Sequence, residues 1–163
     1  MKRESGKKGG RSGFTLVELM VVCATVMILG TISTAGFSVW LPSYRLKSAA
    51  RELYSTMQQV KLSAIKQRGS CTITYSTSPS HQYVATGVAK TVKLSDYGSG
   101  VQFLGPSGET FSPSVITFNS RGTCDGIVGY AYLSNQKQSA YYRIGPMSTG
   151  AIQLQKYNAG AWQ

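Results

Sequence analysis

The order of apolar and polar positions divides the chain into three stretches. From Leu19 to Leu41 the residues are uncharged and largely apolar. A stretch with apolar residues at helical spacing follows, and from Cys71 onward short β-prone runs alternate with turn residues. These patterns predict an apolar helix, an amphipathic helix and a set of β-strands, in that order.

The apolar run spans about 20 residues, which as a helix is enough to cross a hydrocarbon layer roughly 30 Å thick. Five basic side chains precede it, at Lys2, Arg3, Lys7, Lys8 and Arg11. Because the basic flanks of membrane helices stay in the cytoplasm, the N-terminus is predicted to be cytoplasmic and the residues after Leu41 to lie outside.

A second helical segment is predicted immediately beyond this run. Its apolar residues recur at alternating spacings of four and three: Leu46, Ala50, Leu53, Met57, Val60 and Ala64. This spacing places them on one face, which we expect to pack against a sheet. Pro42 lies between the two segments, where it predicts a kink or local unwinding.

The other face of the second segment is basic. It carries Arg45, Lys47, Arg51, Lys61, Lys66 and Arg68 against Glu52. Such a face just beyond a membrane helix would lie near lipid phosphates or the acidic surfaces of neighbouring proteins. A solvated helix face is the alternative for each of these residues.

Eight short strands are predicted after Arg68 and Gly69, where the helical pattern ends. They are Cys71–Tyr75, Gln82–Thr86, Thr91–Leu94, Val101–Leu104, Val115–Phe118, Ile127–Leu133, Ala140–Ile144 and Ala151–Gln155. Turn residues at Ser78–Pro79, Gly105–Gly108 and Gly145–Pro146 predict breaks between them. The fold class is therefore predicted to be α+β, with the long N-terminal helix packed against one or two antiparallel sheets.

The residues before Phe14 carry +4 of the net charge of +11. Without the residues that precede Phe14, 12 basic and 5 acidic side chains leave a charge of +7. That excess favours anionic partners, whether phospholipid head groups or nucleic acid.

Three cysteines are present, and Cys23 lies within the apolar run, where it is expected to act as a small hydrophobe. Cys71 and Cys124 belong to the β-rich region. If that region lies in an oxidising compartment, a disulfide between them is permitted, and two free thiols are the alternative.

The junction that precedes the apolar run carries the most specific motif. Residues 11–20 read RSGFTLVELM, with Gly13 and Phe14 at the edge of the run and Glu18 just inside it. This string resembles the prepilin processing motif of type IV pilins and type II secretion pseudopilins. The resemblance implies that a prepilin peptidase cleaves between Gly13 and Phe14 and that the new terminal Phe14 is N-methylated.

Glu18 needs a partner, because an ionisable group in an apolar membrane helix is costly. In the resembling family the glutamate is thought to meet the N-terminal amino group of a neighbouring subunit during filament assembly. Burying the two charges together lessens the desolvation cost of each. The alternative is that Glu18 reaches back to the cytoplasmic interface.

The segment Ile116–Gly122, a strand that enters a glycine turn, resembles the head of the minor pilins called FimT and the pseudopilins called GspH. Some FimT-type pilins bind DNA through a Gly-Arg-X-Arg motif near the C-terminus. The corresponding stretch here, Gly150–Gln153, lacks both arginines. The resemblance implies a removed leader over 1–13, a transmembrane and filament-core helix over 14–41, an amphipathic extension over 42–68 and a β-rich head over 69–163.

The chain is thus predicted to be a minor pilin or pseudopilin, with a pilus-tip DNA-binding pilin as the alternative. The implied partners are other pilins, prepilin peptidase and lipid of the bacterial inner membrane, with the head in the periplasm before the subunit enters a filament. DNA is a less well supported partner.

No catalytic set is predicted. His81 has no second metal ligand at a suitable spacing, and Asp96, Glu109 and Asp125 are isolated in the sequence. No nucleophile motif and no phosphate-binding glycine loop are present. We therefore predict no enzyme activity, no metal and no cofactor.

Overall fold

The structure is a computed structural model of the chain. It describes residues 13–98, 100–106, 109, 114–126, 128–135, 137, 140–158 and 160–163, with residues 32–39 described by their backbone alone. All of the predicted leader except Gly13 lies outside the described residues. The chain divides into two compact units, Met1–Ser38 and Val39–Gln163.

A single helix, α1, spans Leu16–Gln67 and contains Pro42. The helix is unbroken at Pro42, so the local unwinding predicted there is not observed. A proline removes only one backbone donor, and the turns on either side can retain theirs. The helix ends in a Schellman motif, in which the amides of Arg68 and Gly69 donate to the carbonyls of Ile65 and Ala64 at 3.2 and 3.1 Å.

The membrane-spanning assignment of residues 14–41 stays a prediction. Within the part of the chain that the structure describes, no helical stretch has both the length and the apolar character that crossing a membrane requires. The side chains described for this segment are those of residues 14–31, 40 and 41.

Ten strands form two antiparallel sheets of five strands each within the described residues. The first sheet contains β1 Cys71–Ser76, β2 Gln82–Ala85, β3 Lys90–Lys93, β5 Val115–Phe118 and β6 Cys124–Asp125, in the order β3-β2-β1-β5-β6. The second contains β4 Gln102–Phe103, β7 Ala131–Ser134, β8 Tyr141–Pro146, β9 Ile152–Asn158 and β10 Ala161–Trp162, in the order β10-β9-β8-β7-β4. A short 3-10 helix, Leu94–Tyr97, follows β3.

Each of the eight predicted strands overlaps an observed one, although Ile127 lies outside the described residues. The predicted break at Gly145–Pro146 is wrong, because β8 continues through Pro146, which pairs with Ile152 at the strand end. Proline is tolerated at such a terminal position. The two-residue strands β6 and β10 were not predicted, since they are too short to show an alternating pattern.

The predicted apolar face of the second helical segment is buried. All six of its residues are fully inaccessible: Leu46, Ala50, Leu53, Met57, Val60 and Ala64. They share one core with Ile73, Tyr83 and Phe118 of the first sheet and with Leu133 and Ile144 of the second. The predicted α+β architecture is therefore confirmed, and the helical period determines which residues form its core.

Candidate functional site

The helix start at the predicted processing site is capped by Thr15. The amide of Glu18 donates to Thr15 Oγ1 at 3.2 Å, and the amide of Leu19 donates to Thr15 O at 3.1 Å. Thr15 is thus the N-cap and Glu18 the third helical residue, the spacing of a capping box. The carboxylate of Glu18 is also favoured by the positive end of the helix dipole. Sequence reasoning missed this role of Thr15, although the Thr-x-x-Glu spacing indicates it.

The structure places Gly13, Phe14 and Glu18 together at this helix start, and all three are exposed. The helix surface that follows them is also apolar and exposed: Leu16, Val17, Leu19, Met20, Val21, Val22, Val26, Met27, Ile28 and Leu29. An exposed apolar surface of this extent marks a site of interaction with another protein or with a membrane.

The two cysteines of the head are not brought together. Cys71 pairs with Phe118 across β1 and β5, and Phe118 pairs with Cys124 across β5 and β6, so one strand lies between them. Two strand spacings amount to about 10 Å, beyond the Cα separation that a disulfide tolerates. Both thiols are free, and burial raises the pKa of Cys124 above its ordinary value.

One face of the second sheet carries an aromatic cluster around Arg143. Its guanidinium carbon lies 4.5 Å from the ring centroid of Tyr130 and 4.7 Å from that of Trp162. Its Nε donates to Gln155 Oε1 at 2.7 Å. The aromatic neighbours therefore engage the cation within the fold.

Glu109 connects to the same cluster. Tyr132 donates its hydroxyl to Glu109 Oε2 at 2.5 Å, and Trp162 Nε1 donates to Glu109 Oε1 at 3.1 Å. The hydrogen bond from Tyr132, followed by that from Trp162, lowers the pKa of Glu109. Burial, followed by the bond to Glu109, raises the pKa of Tyr132 to about 12. Sequence reasoning missed this cluster because the indole and the carboxylate are 53 residues apart.

The turn that resembles the FimT and GspH heads is organised by Asn119. Its Oδ1 accepts from the amides of Arg121 and Thr123 at 2.9 and 3.1 Å. Its Nδ2 donates to Thr123 Oγ1 at 2.7 Å and to Asp125 Oδ1 at 2.8 Å. Gly122, at φ 77°, lies against the helix side chain of Ile65. The motif therefore has a structural role, the seating of this turn on the helix.

Among the described residues, the polar side chains of His81, Glu109 and Asp125 have separate partners. His81 Nδ1 accepts a hydrogen bond from the amide of Phe103 at 3.3 Å. Glu109 and Asp125 are bonded to different partners. In the described ranges, no three His, Cys, Asp or Glu side chains are grouped so that they could hold a metal ion.

A long N-terminal helix packed against antiparallel sheets gives the chain a type IV pilin-like fold. It is similar to the crystal structure of the type IV minor pilin FimU of Pseudomonas aeruginosa strain PAO1, with a TM-score of 0.55 and 16% sequence identity. The match covers 74% of this chain and 94% of the FimU chain. No family model matches the sequence, and no curated protein matches it.

Proposed function

We propose that this chain is a minor pilin or pseudopilin, a structural subunit of a type IV pilus or a type II secretion pseudopilus. Prepilin peptidase would cleave it between Gly13 and Phe14, and Phe14 would then be N-methylated. The subunit would wait in the bacterial inner membrane with its head in the periplasm. Its partners are the peptidase, inner-membrane lipid and the N-terminal helices of other pilins.

The observation that carries this proposal is the exposed apolar start of a helix in a pilin-like fold, interrupted by one carboxylate, Glu18. Exposure of such a surface to water is unfavourable, and contact with lipid or with other helices would remove that cost in free energy. Glu18 lies four residues after Phe14. Cleavage would create an α-amino group on Phe14, and the amino group of one subunit could then pair with the Glu18 carboxylate of its neighbour.

Mass spectrometry of the protein purified from its own cells tests the processing step. The expected N-terminal peptide begins at methylated Phe14. A mature protein that retains residues 1–13 would contradict the proposal.

The assembly role of Glu18 is tested by Glu18→Ala, with Glu52→Ala as the control from the same helix. Each variant is expressed with its partner pilins, and sheared filaments are compared with membranes by immunoblotting. Loss of Glu18 leaves an amino group unpaired among apolar helices, which costs several kcal/mol, so we expect incorporation to fall about tenfold or more. The control should enter filaments normally; an equal result for the two variants would contradict the role.

The alternative, a DNA-binding pilin, has less support. Arg143 lies between two rings and Lys61 Nζ donates to Gly150 O at 2.9 Å, so these cations are engaged within the fold. Gly150–Gln153 also lacks the arginines of the DNA-binding motif.

A further inference from the structure

Four exposed side chains form one line along α1 at the end of the predicted membrane segment. Trp40, Tyr44, Lys47 and Arg51 follow each other at spacings of four, three and four, which places them on one helix face. We call them the juxtamembrane stripe. The rings of Trp40 and Tyr44 stack with centroids 5.0 Å apart, although the two side chains are 59% and 55% exposed.

The stripe borders an open hollow that is completed by Ser48 and Glu52. Glu52 forms an ion pair with Lys90, which lies on β3. This is the one ion pair found among the described residues, so no described carboxylate neutralises Lys47 or Arg51. The hollow therefore presents two uncompensated positive charges beside two stacked rings.

Other cations of the same helix are used differently. Lys61 donates to Gly150 O at 2.9 Å, and the guanidinium of Arg45 lies against Gly98, where an added Cβ would be 2.7 Å from its Nη1. These two side chains contact the head. Lys47 and Arg51 are exposed, and Arg51 lies near enough to Tyr142 of β8 for its charge to offset part of the rise that burial causes in the pKa of that tyrosine. The stripe is thus positioned for a partner outside the chain.

The order of residue types along the stripe matches the layers of a membrane surface. Trp and Tyr prefer the boundary between hydrocarbon and head groups. At a rise of 1.5 Å per residue, Lys47 lies about 10 Å and Arg51 about 16 Å beyond Trp40 along the helix. The polar layer is roughly 5–8 Å thick, and helical side chains tilt toward the N-terminus, so Lys47 can reach back to the phosphates. Arg51 reaches them when the helix is tilted by about 40° from the bilayer normal, which reduces its height above Trp40 to about 13 Å.

We infer that the juxtamembrane stripe binds the head-group phosphates of anionic phospholipid, with Trp40 and Tyr44 at the hydrocarbon boundary and Lys47 and Arg51 on the phosphates. The inference rests on the proposed function, because it requires residues 14–41 to lie in a membrane. Cleavage at Gly13 removes the five basic residues of the leader. The stripe then holds the processed subunit at the outer leaflet, and these phosphate contacts break when the subunit is drawn into a filament.

Native mass spectrometry of the full mature chain in a neutral detergent tests this inference. Phosphatidylglycerol is titrated and bound lipids are counted, with phosphatidylcholine as the neutral lipid. The test variant is Lys47→Gln/Arg51→Gln, and the matched control is Lys66→Gln/Arg68→Gln, which removes two exposed cations from the far end of the helix. All substituted positions are exposed, so both variants should fold.

The unchanged chain should prefer phosphatidylglycerol. The stripe variant should lose about 30-fold in affinity at low salt, as expected for two basic side chains at an anionic surface. The control should retain its affinity. In a Trp162→Phe background, brominated phosphatidylglycerol should also quench the emission of Trp40.

Three results would overturn the inference: equal binding of both lipids, equal losses in both variants, or a stripe variant that loses retention on DNA while keeping phosphatidylglycerol. The proposed function is judged separately. A chain that begins at Phe14 and enters filaments without a lipid preference refutes the stripe alone, whereas a chain that prefers phosphatidylglycerol but retains its leader refutes the processing route.

Discussion

Gly150 is the position where a single methyl group should most clearly reveal how the head is assembled. A Cβ placed on Gly150 would lie 1.9 Å from Gly122 O and 2.9 Å from Gly122 C. Both neighbours are backbone atoms of the turn that Asn119 organises, so no side-chain rotation can relieve the overlap. Gly150 also has φ 80°, a conformation that disfavours any side chain.

The conformational part of this cost can be separated by a matched substitution. Gly126 has φ 89°, and its added Cβ would meet no atom within 4 Å. The free energy of unfolding of Gly126→Ala should therefore fall by only about 1 kcal/mol, the cost of placing a side chain in the left-handed conformation. Gly150→Ala adds overpacking of about 1–3 kcal/mol and disturbs the bond from Lys61, for a total of about 3–5 kcal/mol.

The assay is urea unfolding of the full chain in detergent, followed by the emission of Trp162 in a Trp40→Phe background. Trp162 packs on Arg143 and Tyr132, so its emission reports the folding of the head. We expect the free energy of unfolding to fall by about 2–4 kcal/mol more in Gly150→Ala than in Gly126→Ala. Equal losses would show that the turn at residues 119–123 is not seated against Gly150.

Three further predictions concern the head. Because hydrogen bonds from Tyr132 and Trp162 hold the pKa of Glu109 below its ordinary 4.5, their contribution to stability is present above pH 4.5 and is lost as the pH falls through the folded-state pKa. The emission of Trp162 should change over that pH range, and Glu109→Gln should abolish the change. Alkylation in denaturant followed by mass spectrometry should find Cys71 and Cys124 free even in protein taken from the periplasm, whereas an intact bridge would refute the strand order β1-β5-β6. Asn119→Ala should cost about 2–3 kcal/mol of unfolding free energy in urea. In an Asp125→Asn background, which removes the carboxylate 2.8 Å from Asn119 Nδ2, Asn119→Asp should cost less because the aspartate retains both bonds accepted from backbone amides; equal costs would contradict the assigned geometry.

The exposed apolar start of α1 and the stripe at residues 40–51 have different proposed partners. In the proposed function, the residues near Glu18 contact other helices in a filament. The separate inference is that the stripe contacts lipid before assembly. Each role can fail independently in the experiments above.

Local patterns in the sequence were sufficient to predict the main helix and most of the strands. The spacing of Leu46, Leu53 and Val60 determines the buried helix face, because a helix returns to the same side every three or four residues. Short β-prone runs bounded by other residue types located β1 and β5 within a residue at each end. The Thr15 cap also depends only on residues three positions apart, so the sequence contains that information even though it was first recognised in the structure.

Contacts between segments that are distant in the sequence could be identified only from the tertiary structure. The separation of Cys71 from Cys124 follows from the insertion of β5 between their strands, and the fit of Gly150 on Gly122 follows from the way two turns meet beside the helix. The enclosure of Arg143 by Tyr130 and Trp162 likewise requires the order β10-β9-β8-β7. Strand order in a sheet arises from the packing of the whole core, and no periodicity within a single segment encodes it.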